Sequence, residues 1–174
     1  MQARTVKIKP EQKRFASVSS GTGQARCCGM ETFVGGLQTG VLVVEDNDPF
    51  SAFVCAVLDE YPQLKIVGKV QNGLDAIRQA EQLEPGLILM DIALPGLNGI
   101  AVALHIRSFL PDVKIVFLTQ ESSPDVVREC LQIGTCGYVL KLDAGRELSR
   151  GIDAVMAGRG FLSSTLACPA AMSA

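Results

Sequence analysis

Glu45, Asp46, Asp91, Thr119 and Lys141 are three carboxylates, a hydroxyl and an ammonium, and each stands at the end of a short apolar run. Val41-Leu42-Val43-Val44 leads to Glu45-Asp46, Leu87-Ile88-Leu89-Met90 to Asp91, Ile115-Val116-Phe117-Leu118 to Thr119, and Tyr138-Val139-Leu140 to Lys141. Gathered in one place, these groups suit a divalent cation and a phosphoryl group. The carboxylates alone would repel one another, by about 4 kcal/mol for a pair ~4 Å apart at an effective dielectric of about 20. That repulsion raises their pKa values unless a cation answers it. Oxygen donors in a partly hydrated site select Mg²⁺, with Mn²⁺ as its substitute. A lysine ammonium is a compact charge able to reach a phosphoryl oxygen, and a carboxylate can attack phosphorus to form an acyl phosphate. Cation and lysine would then neutralise the transferring group, the largest task in phosphoryl transfer.

The elements that must position these residues are legible around them. Continuous apolar runs separated by helix-like segments read as strands of a parallel sheet, buried on both faces. Parallel strands place their carboxyl ends on one rim, where ligands of such sheets bind. From about residue 40 strand and helix alternate five times. Asp48-Pro49 supplies an N-cap and an early helical proline, and Phe50, Phe53, Val54, Val57 and Leu58 mark one helix face. Leu64 to Val70 is a more polar strand, as an edge strand would be. Asn72-Gly73 leads into a helix over Leu74, Ile77 and Leu83, and Leu94-Pro95-Gly96 forms a loop before one through Ile100, Leu104 and Ile106. Ser123-Pro124 opens a helix through Val126, Val127 and Leu131. Gly134 to Leu140 holds the fifth strand, and a last helix runs from about Ala144 to Gly158. Five such units with short connections predict a doubly wound α/β fold: a five-stranded parallel sheet with helices on both faces.

Each piece also has a plainer explanation. Glu45-Asp46 could be a turn or capping pair, since Asp46-Asn47-Asp48 favours turns. The acids lack the glycine and distant glutamate of a calcium loop. Asp91 could cap the helix that follows it. Gly21-Thr22-Gly23 follows no strand and opens no helix, so it reads as flexible linker. A flavin site would need a phosphate-cradling loop after the first strand, where Glu45-Asp46-Asn47-Asp48 would repel a phosphate. The weight lies in the conjunction of four strand ends.

Charge is unevenly spread. Residues 1–40 carry about +4 and the remainder −6, for the net −2 of the 174-residue chain. An acidic main domain argues against nucleic-acid binding by that domain, because a phosphate backbone demands a positive surface. The basic extension, without interleaved aromatics, reads as a solvated tail. Among six cysteines there is no CxxC pair, and His105 has no partner at ligand spacing, so reduced thiols in the cytoplasm are the better reading. No apolar stretch reaches the ~20 residues that span a bilayer, and no signal peptide stands at the start. Residues 1–39 read as a disordered basic extension, 40–158 as the domain and 159–174 as a linker-like tail. Met30 opens a more ordinary stretch and is a second candidate start.

In order, spacing and strand placement, Val41 to Asp46, Met90-Asp91-Ile92-Ala93-Leu94-Pro95-Gly96-Leu97-Asn98-Gly99, Thr119 and Gly137-Tyr138-Val139-Leu140-Lys141 resemble the signature of a response-regulator receiver domain. The resemblance covers roughly residues 40–158 and implies a flavodoxin-like strand order 2-1-3-4-5. It implies that Asp91 accepts a phosphoryl group from a sensor histidine kinase or a histidine phosphotransfer protein. Asp46, Asp91 and the backbone carbonyl of Ala93 would bind Mg²⁺, with Glu45 acting through water. Thr119 would hydrogen-bond the phosphoryl oxygen, Lys141 would pair with it, and Tyr138 would change rotamer; with or without the resemblance, Tyr138 reads as a half-buried strand residue. Such a module is no enzyme toward other molecules. It catalyses its own phosphotransfer and dephosphorylation and switches a protein-binding surface on the fourth helix, fifth strand and fifth helix. A phosphorylation-dependent homodimer is a second candidate partner.

The departures carry expectations too. Leu142 stands where many receivers have a cis proline, so no cis bond is expected. Ala93 offers no polar group to orient a hydrolytic water, and Glu121 could orient or repel one, so slow self-dephosphorylation is expected. Ala93 also disfavours an aspartyl phosphatase, which would carry a second aspartate there. Glu147-Leu148, Ile152, Val155, Gly158 and Phe161-Leu162-Ser163 resemble the last helix and linker of LuxR-type helix-turn-helix regulators. No basic recognition helix follows before Ala174. The expectation is a receiver acting through protein contacts, without direct nucleic-acid or membrane binding. The alternative is a truncated transcriptional regulator missing its output domain.

Overall fold

The computed structural model describes residues 38–120, 122–134 and 136–166. The expected disordered extension, Glu121, and the thiols of Cys27, Cys28 and Cys168 lie outside them, apart from Gln38 and Thr39 at the extension's end. Six strands are β1 (Thr39–Val44), β2 (Leu64–Val70), β3 (Leu87–Asp91), β4 (Lys114–Thr119), β5 (Cys136–Leu140) and β6 (Phe161–Leu162). Five helices alternate with them: α1 (Asp48–Leu58), α2 (Gly73–Leu83), α3 (Gly99–Phe109), α4 (Pro124–Gln132) and α5 (Ala144–Met156). A short 3-10 turn, Lys141–Asp143, joins β5 to α5. All pairings are parallel and the order is β2-β1-β3-β4-β5-β6.

Alternation along the strands divides the core, because successive side chains point to opposite faces. Leu42, Val44, Ile88, Met90, Ile115, Phe117 and Tyr138 meet α2, α3 and α4 on one face. Val41, Val43, Leu87, Leu89, Val116, Leu118 and Val139 meet α1 and α5 on the other. β3 and β5 are buried throughout and β1 and β4 from Val41 and Ile115 onward, whereas edge strand β2 exposes Lys65, Val67 and Lys69. That is the pattern expected of a strand with neighbours on one side only.

Two local details differ from expectation, and the thiols agree with it. The cap of α1 is Asn47, whose Oδ1 accepts from the Phe50 amide at 2.9 Å, so Asp48 is the first helical residue. β5 begins at Cys136 because Gly134 turns the chain with φ +105°. Cys130 and Cys136 are buried free thiols, and burial pushes Cys130 up to about 12.

The larger difference lies in the expected tail. Gly158, at φ +73°, ends α5 and turns the chain back along the sheet. Phe161 and Leu162 then pair with Gly137 and Tyr138, adding a sixth strand to the expected five. Ser163 donates its amide to the Tyr138 carbonyl (2.9 Å) and accepts at Oγ from the Leu140 amide (3.0 Å). Leu166 is buried in the α4-side core, worth about 1.5–3 kcal/mol. Glu147 of α5 accepts from the amide and hydroxyl of Ser164.

Burial would raise the Glu147 pKa, but the hydrogen bonds of Ser163 and Ser164 win and hold it below the ordinary 4.5. A depressed folded-state pKa contributes stability above the unfolded value, lost as pH falls through the folded one. Glu147→Gln should therefore cost on the order of 1 kcal/mol near pH 7 and almost nothing near pH 2. Urea titrations at the two pH values check this; an equal loss at both would show that the carboxylate charge is not what Ser164 reads.

Candidate functional site

The strand register stacks the run ends. Val44 pairs with Met90, Asp91 with Leu118, and Thr119 with Leu140. Each polar residue therefore ends its strand beside the next, and the four ends share the carboxyl rim of the sheet. Glu45 is kept in line by its own amide, which donates to the Val70 carbonyl at 3.0 Å. After β3 the chain must turn sharply into α3, and Gly99 allows it: a Cβ there would collide with the Asp91 carbonyl oxygen and stand 2.9 Å from the Ile92 Cα. Asn98 caps α3 by accepting from the Ile100 amide at 2.8 Å, so Asp91 is not the helix cap.

At the rim, the Lys141 ammonium lies 2.7 Å from Glu45 Oε1 and 2.7 Å from Asp91 Oδ2. Asp91 Oδ1 accepts from the Ala93 amide at 3.0 Å, and Glu45 Oε1 also accepts from the Asn47 amide at 3.1 Å. Glu45, Asp46 and Asp91 each bring a carboxylate oxygen within 4.8 Å of the others, Asp46 from an exposed position. A cleft of about 850 Å³ opens over them, bordered by Asp46, Asp91, Ala93, Thr119 and Lys141. Thr119 is nearly inaccessible at the end of β4. Tyr138, expected half-buried, is wholly buried on the α4 face, below the rim rather than on it.

The electrostatics are those of charges partly removed from water. Burial raises the Glu45 carboxyl above its ordinary value, and the neighbouring Asp91 charge adds to it. The Lys141 hydrogen bond pulls the other way without winning. For Lys141, burial would lower the pKa, but hydrogen bonds and charge from Asp91 and Glu45 outweigh it and raise the ammonium. Glu45 Oε2 is buried with no hydrogen-bond donor among the described residues. Such an atom costs free energy unless water or a cation answers it. Three carboxylates against one ammonium leave negative charge uncompensated, and the hard oxygen donors match Mg²⁺.

Sequence reasoning did not single out Phe50 as a neighbour of the site. Its ring centroid lies 4.8 Å from Lys141 Nζ, close enough for a cation–π contact. The signal was available: α1 starts two residues after Asp46, so its first turn stands near the rim.

The chain is similar to known proteins. A family model described as "Response regulator receiver domain" matches residues 41–153. The chain is 30% identical over 127 residues to the response regulator GacA of Pseudomonas viridiflava, across 73% of this chain and 59% of that protein. It is 31% identical over 127 residues to the transcriptional regulatory protein LiaR of Bacillus subtilis, across 73% and 60%. The chain thus spans about three fifths of these relatives. Among solved structures, a LuxR-family two-component response regulator from Aurantimonas superposes with TM-score 0.70 at 25% identity, covering 75% of this chain and 93% of that one. The receiver domain of a response regulator NarL from Mycobacterium tuberculosis gives 0.65 at 25% identity, covering 71% and 100%.

Proposed function

The chain belongs to the response regulator receiver domain family, and from that premise we propose that it is a phosphoacceptor module of a two-component phosphorelay, with Asp91 as acceptor. The observation that carries the reading is the Lys141 ammonium held 2.7 Å from two carboxylates, with Asp46 completing an oxygen cluster within 4.8 Å. Asp46, Asp91 and the Ala93 carbonyl would hold Mg²⁺, and Glu45 would reach it through water. When bound, the ion supplies positive charge against the phosphoryl oxygens.

In the transfer, an Asp91 carboxylate oxygen forms a bond to phosphorus while the bond from phosphorus to the donor histidine nitrogen breaks, and that nitrogen keeps the electron pair. Lys141 stays in contact with the phosphoryl group through its ammonium, and Thr119 donates its hydroxyl to a phosphoryl oxygen. Tyr138 would carry the change to the α4–β5–α5 surface. A sensor histidine kinase or histidine phosphotransfer protein supplies the group, and the module works on itself rather than on other substrates. Ala93, with only a methyl side chain, leaves no polar side chain at its position to aim a water at the acyl phosphate, so the phosphorylated state is long-lived. Among the described residues no helix is long and apolar enough to cross a membrane, in keeping with a cytoplasmic site of action.

The test is incubation with acetyl phosphate, with Mg²⁺ or with EDTA. The expected result is one added phosphoryl mass in Mg²⁺ alone, removed by hydroxylamine and mapped to the peptide holding Asp91. No added mass, or a hydroxylamine-stable one, sinks the reading.

A second reading rests on the length of the relatives, one of which is named a transcriptional regulatory protein. On that reading the receiver governs an attached helix-turn-helix module, and that module rather than residues 38–166 contacts nucleic acid. The mass of the protein isolated from its natural source decides: 18.5 kDa supports the free-standing receiver, and a larger chain the regulator.

A further inference from the structure

We propose that the segment Phe161–Leu166 is a strap fastened around the Lys141 junction, and that occupation of Asp91 by a phosphoryl group releases it. The inference rests on Asp91 as acceptor and says what the occupied site does next.

The fastening is specific in place. On the near side of Lys141, Ser163 closes two hydrogen bonds on β5, to the Tyr138 carbonyl (2.9 Å) and the Leu140 amide (3.0 Å). On the far side, Thr165 donates to Asp143 (2.7 Å) and Ser164 to Glu147. Ser163 is inaccessible to solvent, and Leu166 fills the α4-side core that also holds Tyr138, Val127 and Cys130. Phe161 lies over Gly151 of α5, where a Cβ would stand 3.3 Å from its ring. Beyond the β5–β6 ladder, the hydrogen bonds of Ser163, Ser164 and Thr165 to the domain, among the described residues, fall between Tyr138 and Glu147, and Lys141 lies inside that interval.

The strap and the Lys141 ion pairs coexist in one geometry. Leu140, whose amide Ser163 holds, is the residue before Lys141, and Lys141 spans Glu45 and Asp91 at 2.7 Å each. A phosphoryl group adds about −1.5 to −2 charge and three acceptor oxygens at Asp91. Lys141 then has a stronger partner than Glu45, displaced outward from the carboxylate it now touches. A shift of its backbone acts directly on Leu140, and the hydrogen bond from the Leu140 amide to Ser163 Oγ needs a fixed Leu140–Ser163 distance. The occupied site thus favours the unstrapped state. By linkage, loosening the strap favours occupation of the site by the same factor.

The experiment uses the full chain with Mg²⁺ and beryllium fluoride, an equilibrium mimic of the phosphoryl group. Binding is measured first by fluorine NMR, and amide exchange of Ser163, Ser164 and Leu166 is then compared with and without the mimic. The expected result is exchange accelerated about fivefold, the lower end of ordinary coupling, with β1 and β3 unchanged. Reciprocally, Ser163→Ala should bind the mimic about fivefold tighter. Because that variant leaves the buried Leu140 amide unpaired and can fold poorly, Thr165→Ala, which removes only an exposed contact, is measured beside it and should shift the same way. If the mimic binds while strap exchange is unchanged or slowed, or both variants bind it like wild type, the strap proposal is overturned and the acceptor reading stands. Failure of the mimic to bind at all sinks the acceptor reading, and the strap proposal with it.

Discussion

Asp91→Asn takes up no phosphoryl group from acetyl phosphate under conditions that fully label the wild type. An amide cannot form an acyl phosphate, and the reason reaches beyond the lost charge. Both oxygens of Asp91 accept hydrogen bonds, one from the Ala93 amide at 3.0 Å and one from the Lys141 ammonium at 2.7 Å. Asparagine offers one acceptor in place of two, so one of those donors loses its partner. Either way the Asp91 charge is gone from beside Lys141, and Glu45 loses a neighbour that was raising its pKa. The fold persists, since the strand ends are fixed by backbone register rather than by this side chain. Mass spectrometry of the intact protein and its circular dichroism read the two halves of the expectation. Labelling of the variant at the wild-type level would move the acceptor elsewhere.

Lys141→Met has the largest expected effect on stability, about 3–5 kcal/mol at pH 7 without divalent cation, because removing one partner of a buried pair leaves its charges uncompensated. The side chains concerned are 10% exposed for Lys141, 0% for Glu45 and 4% for Asp91. The cation–π contact with Phe50, worth about 0.5–1 kcal/mol, goes as well. The pH dependence has a definite sign. Glu45 already has a raised pKa, and without the ammonium it rises further. A raised folded-state pKa contributes stability that is present below the unfolded value of 4.5 and lost as pH rises through the folded one. The deficit of the variant should therefore shrink as the pH is lowered from 7 toward 4.5. Mg²⁺ should raise its melting temperature more than that of the wild type. Urea titrations in EDTA at pH 7 and pH 5 check the pH sign, and melting curves with and without Mg²⁺ check the second; a methionine variant as stable as wild type at pH 7 would mean that the two carboxylates do not need the lysine.

Much of this was readable in the chain, and the reason is geometric. Apolar runs that end on polar residues, at intervals a helix can fill, leave few arrangements other than a parallel sheet with one functional rim. Glu45, Asp46, Asp91 and Lys141 consequently stand together where spacing alone would put them. What the chain concealed lies where two weak signals compete. Phe161-Leu162 is too short to read as a strand, and its pairing with β5 depends on a turn at Gly158 and on Ser163 supplying a hydroxyl to a backbone amide. Tyr138, expected half-buried, is buried where β6 pairs with β5 and Leu166 enters the same core. The α1 cap moved by one residue because Asn47 and Asp48 are both good capping residues, and only the fold chooses between them. The direct pairing of Glu45 with Lys141, 96 positions apart, could not be read from spacing.

The two-residue β6 has one more consequence, for behaviour at high concentration. At its opposite border the sheet is guarded by lysines on β2, which discourage strand addition by another molecule. At this border the guard is the strap, and beneath it lie five residues of fully buried, aromatic-bearing β5. A device that lets go to send a signal also uncovers a ready template for cross-β association. Message and fibril would then share one latch, and the lifetime of the acyl phosphate would set how long the protein stays exposed to that hazard.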